Sequence, residues 1–250
     1  MRLDKFLADM GIGTRSEIKK QIRSGVVAIN GLVVTDPGTQ VTTDSHITYR
    51  GEPVGYEEHS YYMLNKPAGV ISASEDSRES TVIDLITEQK RKDLFPVGRL
   101  DRDTEGLLII TNDGEMAHRL LSPRHHVDKT YYARVTGIVT DEEIEAFASG
   151  LVLPDGLECL PAELKILGIQ DVSTEDIICS DSLDCQQYTD TEVTIREGKF
   201  HQIKRMFLAT GHEVVYLKRL SMGPLTLDSS LAPGEYRRLT QDEITQLKTI

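Results

Sequence analysis

The spacing of apolar and polar positions changes several times along this chain, and each change marks an element. Leu107-Leu108-Ile109-Ile110 is an unbroken apolar run between Thr104-Glu105-Gly106 and Thr111-Asn112-Asp113-Gly114. A short run bounded by turn residues predicts a buried strand, and its polar tail can start the next helix. Tyr61 to Leu64 predicts another strand, ended by Asn65-Lys66-Pro67-Ala68-Gly69. Val26 to Ile29, Asn30-Gly31 and Leu32 to Val34 read as strand, tight turn, strand. Glu192 to Arg196 alternates like a strand, and Val214 to Leu217 is strand-like. Capping boxes open helices at Thr14-Arg15-Ser16-Glu17, Thr140-Asp141-Glu142-Glu143 and Thr240-Gln241-Asp242-Glu243. The first helix runs to about Ser24 with Ile18 and Ile22 inward, and Gly25 and Gly150 are placed to stop the first two. Ser80 or Thr81 is placed to open a helix through Gln89. Phe200 to Thr210 predicts a helix ending at Gly211, with Phe200, Ile203 and Phe207 as its apolar stripe. Strands and helices mix without regular βαβ alternation, which predicts an α+β fold.

The pattern divides the chain unevenly. Residues 1–55 are the size of a small domain, residues 56–60 read as linker, and residues 61–250 form a larger domain. With 250 residues and 39% apolar content, two cores are affordable, and no run is long enough to span a membrane. Met1-Arg2-Leu3-Asp4-Lys5-Phe6 has no apolar segment of signal-peptide type, so a cytoplasmic protein, taken as a monomer, is expected. Cys159, Cys179 and Cys185 are odd in number and lack metal spacing, which fits packing in a reducing compartment. The net charge of −12 argues against nucleic acid until it is mapped. Asp141 to Glu192 holds fourteen acids and one base, Lys165, so the rest of the chain is near neutral. The acidity is local and suits a solvated face turned away from any polyanion.

Candidate chemistry lies in four segments. In Gly98-Arg99-Leu100-Asp101-Arg102-Asp103 a carboxylate stands between arginines on a loop anchored to the buried strand. Such a loop can hold an acid rigidly at a cleft, although Asp101 equally reads as an ion-pair partner of Arg99 or Arg102. Asp103 reads as a solvated charge and Asp113 as a turn or cap. Lys66-Pro67-Ala68-Gly69 reads as a strand-ending turn. In Ser122 to Val135, His125 and His126 are adjacent, so their side chains diverge and do not share a metal. Tyr131 and Tyr132 follow on a strand and must face opposite ways. In Glu197 to Phe207, Lys204 lies beside the apolar stripe, where a partly buried cation needs an anion. Near the N-terminus Arg15, Lys19 and Arg23 share one helix face. No dinucleotide fingerprint, P-loop or metal-ligand cluster is present, so no cofactor and no metal are expected.

Lys66-Pro67-Ala68-Gly69, Gly98-Arg99-Leu100-Asp101, Lys129-Thr130-Tyr131 and Glu197 to Phe207 resemble, in that order, the signature segments of the RNA pseudouridine synthases. Arg2-Leu3-Asp4-Lys5-Phe6-Leu7 and Ser24 to Gly31 resemble the S4 RNA-binding domain. The resemblance implies a small S4-like domain followed by a larger catalytic domain built on a mixed, mainly antiparallel sheet. It implies that Asp101 is the catalytic residue and that Tyr131 stacks on the target uracil. Lys204 would face Asp101 and favour its ionised form, although the family often has arginine here. Arg99 and Ile203 complete the implied active site. Arg2, Lys5, Arg15, Lys19, Lys20 and Arg23 become candidate phosphate contacts. The implied partner is ribosomal RNA, with no membrane involved. Ser122 to Tyr131 and Leu231 to Arg237 resemble the branch that modifies one uridine of 16S rRNA, in the free RNA or a small-subunit assembly intermediate. Three other readings are an enzyme of the same superfamily acting on 23S rRNA, a non-catalytic S4-type ribosome-assembly protein, and a metal-dependent nuclease using Asp101 and Asp103.

Overall fold

The computed structural model describes residues 1–42, 44–55, 59–87, 93–171 and 187–250. Two helices open it, α1 (Leu3–Asp9) and α2 (Arg15–Arg23), and the Thr14–Glu17 capping box closes both ways at the start of α2. Their apolar sides, Leu3, Phe6, Leu7, Ile18 and Ile22, pack on Val27, Val41 and Ile47. These last three belong to or flank an antiparallel sheet of order β2-β1-β3-β4, made of β1 (Val27–Ile29), β2 (Leu32–Val33), β3 (Ile47–Tyr49) and β4 (Glu52–Val54). Asn30 and Gly31 both take positive φ, 50° and 80°, as a two-residue turn that follows the strand twist requires. The edge strand β4 lies just before the expected linker. Pro53 lies on that edge, where a missing N–H is tolerated. Residues 56–58 of the expected linker lie outside the described residues.

A nine-stranded sheet carries the rest. Its strands are β5 (Tyr61–Lys66), β6 (Phe95–Pro96), β7 (Glu105–Thr111), β8 (Lys129–Thr136), β9 (Glu163–Asp171), β10 (Gln187–Ile195), β11 (Val214–Met222), β12 (Leu225–Thr226) and β13 (Tyr236–Arg238). The path runs β13-β5-β7-β11-β8-β10-β9, with β12 on β11 and β6 on β7. Every pairing is antiparallel except β7 with β11, so the expected α+β class and mainly antiparallel sheet hold. The apolar run of β7 is unbroken because both faces are covered. Leu108 and Ile110 join one core with Phe147 of α4 (Asp141–Ser149) and Met206 and Phe207 of α5 (Gln202–Ala209). Leu107 and Ile109 join the opposite core with Met116 and Leu120 of α3 (Gly114–Leu121) and Leu247 of α6 (Gln241–Lys248).

Two predicted helices need correction. Residues 81–87 form turns rather than a helix, because Asp84 Oδ2 accepts from both N and Oγ1 of Thr81 and closes the chain locally. The remainder of that expected helix lies outside the described residues. The helix placed at Phe200 starts at Gln202, because His201 adopts a left-handed φ of 48°, and Phe200 is thrown into solvent. Cys159 is a buried free thiol, as packing predicts, and Cys179 and Cys185 lie outside the described residues.

Candidate active site

Asp101 sits on the loop between β6 and β7, and that loop is pinned from below by the Lys66-to-Ser72 segment. Lys66 is fully buried at the end of β5, and its Nζ donates to the carbonyls of Pro67, Arg102 and Thr104 at 3.0, 3.2 and 2.9 Å. Burial pushes this ammonium down to about 8, against opposing attraction from Asp103, Asp101 and Glu105. Gly69 N donates to the Arg102 carbonyl at 2.8 Å. Ser72 Oγ donates to Leu100 O at 2.8 Å and accepts from Leu100 N at 3.0 Å. The loop is therefore clamped on both sides of Asp101. Lys66 thus does more than end a strand, which the turn-forming Pro67 and Gly69 beside it obscured.

Past the loop, Gly106 decides how closely β7 meets β11. It has φ 99°, and a Cβ there would lie 2.3 Å from the Arg219 carbonyl. Only glycine allows this parallel contact, which brings Tyr131 of β8, one strand further on, into the same cleft as Asp101.

The cleft is lined by Arg99, Leu100, Asp101, Thr104, Tyr131, Ile195, Leu217 and the Gly198–Lys204 segment apart from Phe200. It thus gathers Asp101, Tyr131, Arg99, Ile203 and Lys204 from three distant parts of the sequence. The Asp101 side chain is 27% exposed, which suits an acid that must meet a substrate. Tyr131 is buried against the core, and the Arg219 guanidinium lies 6.0 Å from its ring centre. Tyr132 turns to the other face of the sheet, edge-on to Tyr216 at 5.9 Å. Ile203 is buried beneath the cleft and Arg99 stands exposed at it.

Lys204 behaves differently from the expectation. Its Nζ lies 3.9 Å from Asp101 Oδ2 but 2.7 and 2.6 Å from the two oxygens of Asp103. Asp103 is therefore the near partner of Lys204 rather than a free solvated charge. Burial works to raise the Asp103 carboxyl, but the Lys204 hydrogen bond and charge outweigh it and hold it below the usual carboxylate range. A second side chain, missed from sequence, reaches Asp101 itself: His201 Nε2 lies 3.5 Å from Asp101 Oδ1. Its place in the chain carries no periodic signal, because the left-handed turn that aims it appears only in three dimensions. Arg219, also missed, is 2% exposed and donates from Nε to Leu107 O at 2.7 Å.

The basic candidates of the small domain are mostly exposed: Arg2, Lys5, Arg15, Lys20 and Arg23, with Lys19 half-exposed. Two of them converge on the buried Asp4. Arg2 donates from Nε and Nη2 at 3.0 and 3.1 Å, and Lys19 Nζ lies 3.8 Å away. The Arg2 hydrogen bond, working against burial, holds the Asp4 carboxyl below its usual range. The α2 stripe thus continues onto the start of α1.

An RNA pseudouridylate synthase model matches residues 60–209, and an S4 domain model matches residues 1–47. The chain belongs to the RNA pseudouridylate synthase family. It is 48% identical over 246 residues to an uncharacterized RNA pseudouridine synthase of Bacillus subtilis, covering 98% of this chain and 97% of that one. It is 38% identical to ribosomal large subunit pseudouridine synthase B of Bacillus subtilis, covering 100% and 96%. It is 37% identical to ribosomal small subunit pseudouridine synthase A of Escherichia coli K12, covering 99% and 100%. A crystal structure of a pseudouridylate synthase superposes with a TM-score of 0.63 at 37% identity, covering 99% of both chains. The protein is an RNA pseudouridine synthase with an S4 domain, and no helix among the described residues is long and apolar enough to cross a membrane.

Proposed function

We propose that this synthase isomerises a uridine of ribosomal RNA to pseudouridine, with 16S rRNA as its substrate and Asp101 as the catalytic residue. The observation that carries the reading is the placement of Asp101. It is a partly exposed carboxylate on a doubly clamped loop, facing Tyr131 across a cleft that also holds Lys204 and His201. In the reaction the bond from ribose C1′ to uracil N1 breaks, the base turns, and C1′ joins C5. The C5 proton is then lost and N1 ends protonated. Breaking the first bond builds positive charge at C1′, and an ionised carboxylate beside it stabilises that charge or attacks it. Tyr131 offers the flat face on which an extruded uracil stacks. Lys204 Nζ and His201 Nε2 stand 3.9 and 3.5 Å from the two Asp101 carboxylate oxygens. The pairing of Lys204 with Asp103 holds the lysine at that distance. The exposed cations of the small domain supply sequence-independent contacts to phosphate. A ribosomal substrate places the enzyme in the cytoplasm.

The 16S assignment rests on the likeness of Ser122 to Tyr131 and Leu231 to Arg237 to the small-subunit branch. A 23S substrate is the second reading, favoured by the 38% identity to a large-subunit enzyme. Mapping pseudouridine in 16S and 23S rRNA from cells lacking the protein decides between them. One missing 16S site, restored by the wild-type chain but not by Asp101→Asn, is the expected result. A missing 23S site moves the substrate, and unchanged rRNA removes the proposal.

A further inference from the structure

Single apolar side chains on a surface are ordinary, but Phe200 is held there in an organised way. Its ring is 70% exposed and stacks on His201, with centroids 3.8 Å apart and planes inclined by 19°. His201 in turn reaches Asp101 at 3.5 Å through Nε2. The arrangement depends on the left-handed backbone of His201, a conformation uncommon for residues with a Cβ. Periodicity would have placed Phe200 on the inward stripe of α5. Instead a row of groups leads outward from the acid: carboxylate, imidazole, phenyl. One face of the phenyl ring is covered by His201, and the exposure leaves the other open at the lip of the cleft.

We propose that Phe200 is a stacking platform for the unpaired base next to the uridine that enters the cleft. This rests on the reading of the cleft as the uridine site. A nucleotide drawn out of its stack leaves its neighbour with a bare face. A flat, uncharged ring fits that face whatever the base, because every base offers a π surface. Two basic side chains near Phe200 in the chain are already paired. Lys199 is tied to Glu197 at 2.9 Å and to the Glu158 carbonyl, and Arg205 is ion-paired with Asp155. The contact therefore differs in kind from the phosphate contacts of the small domain, and its contribution is insensitive to salt.

The chain contains no tryptophan, so Phe200→Trp places one fluorophore on the platform. Mixed-sequence single-stranded RNA should quench that fluorophore, and a blunt RNA duplex should not. Leu208→Trp, at a position 68% exposed on α5, is the control and should stay bright. Phe200→Ala should weaken single-stranded RNA binding roughly 5- to 150-fold, equally at low and high salt. On the rRNA substrate it should raise KM and leave kcat near wild type. Phe200→Leu, apolar but not flat, should behave like the alanine variant, and Phe200→Tyr like wild type. Absence of quenching in Phe200→Trp, equal quenching in Leu208→Trp, or unchanged affinity in Phe200→Ala overturns the platform. Quenching in a protein that forms no pseudouridine would sink the proposed function and leave the platform standing. Turnover without quenching would do the reverse.

Discussion

The two domains use basic side chains in opposite ways. On α2 of the small domain, Arg15, Lys20 and Arg23 stand in water, where a cation costs little and attracts from a distance. In the large domain Lys66, Lys129 and Arg219 are buried, and none of them makes an ion pair among the described residues. A buried cation is costly unless its donors are used. Each donates to backbone carbonyls: Lys66 to the Asp101 loop, Lys129 to Val127, and Arg219 from Nε to Leu107, its buried Nη2 having no partner among the described residues. The difference teaches that, under the proposed function, the exposed set is placed to meet RNA, while Lys66 of the buried set holds the loop that carries Asp101.

Removing the group that the Lys66-held loop carries should have the largest effect. Asp101→Asn keeps the size of the side chain and removes its charge. Turnover should fall roughly 10²–10⁴-fold, with RNA affinity and the unfolding midpoint near wild type. Single-turnover rates on rRNA transcripts measure it, and near-normal turnover would make Asp101 an ordinary ion-pair residue. Asp103→Asn frees Lys204 from its near partner and should cost much less.

Lys66→Met tests the hold on that loop directly. It leaves the Thr104 carbonyl without its donor, a buried unsatisfied group costing about 1–3 kcal/mol, while the Arg102 carbonyl keeps the Gly69 N–H. The kcat should fall several-fold or more while KM for RNA stays close to wild type, since the small domain is untouched. Urea unfolding should show a lower midpoint. A rise in KM with unchanged kcat would place Lys66 among the recognising cations and break the comparison.

Arg15→Ala, Lys19→Ala and Arg23→Ala together test the other side. Each lost phosphate contact should flatten the salt dependence of RNA binding, by a slope of about 0.7–0.9. Turnover at saturating RNA should change little. Superimposable binding curves for wild type and triple variant would show a merely solvated face. Lys19 should contribute less than its neighbours, because Asp4 already holds it at 3.8 Å.

The same contrast explains what was legible in the sequence. The α2 stripe, the capping boxes and the β7 run were readable because spacing alone sets them. Asp101, Tyr131 and Lys204 were readable through ordered segments that resemble the family. The opposite facing of Tyr131 and Tyr132 followed from strand geometry. Burial of Lys66 and Arg219 was not readable, since it depends on which strands meet, and the meeting of β7 and β11 turns on Gly106. The placement of His201 and Phe200 was misread for a related reason. One left-handed residue interrupts a helical period that otherwise fits. The pairing of Lys204 with Asp103 was missed because charge spacing along a loop does not say which carboxylate comes nearer.

The smallest effect should come from Lys129→Met, and its sign is the informative part. Lys129 Nζ makes one hydrogen bond, to Val127 O at 2.9 Å. Burial, then repulsion from Arg219, pushes its ammonium down to about 8 from the ordinary 10.5. Below about pH 8 the folded protein must therefore carry an unfavourable buried charge that the unfolded chain holds in water. Between about 8 and 10.5 the folded state has released this proton and the unfolded state has not. Stability from this group thus rises with pH across that window. Methionine keeps the length and apolar stem and removes the charge, at the cost of one donor to Val127. The variant should match or exceed wild type in stability at pH 7, and its margin should shrink as pH approaches 10. Lys66 titrates in both proteins and cancels in the difference. Lys20→Met, on the exposed face, is the control and should stay within about 0.5 kcal/mol of wild type. Urea midpoints from pH 7 to 10 measure the margin. A Lys129→Met protein that is less stable by a constant amount at every pH would mean the ammonium supports the fold, and Lys129 would then belong with Lys66 rather than stand as a tolerated charge.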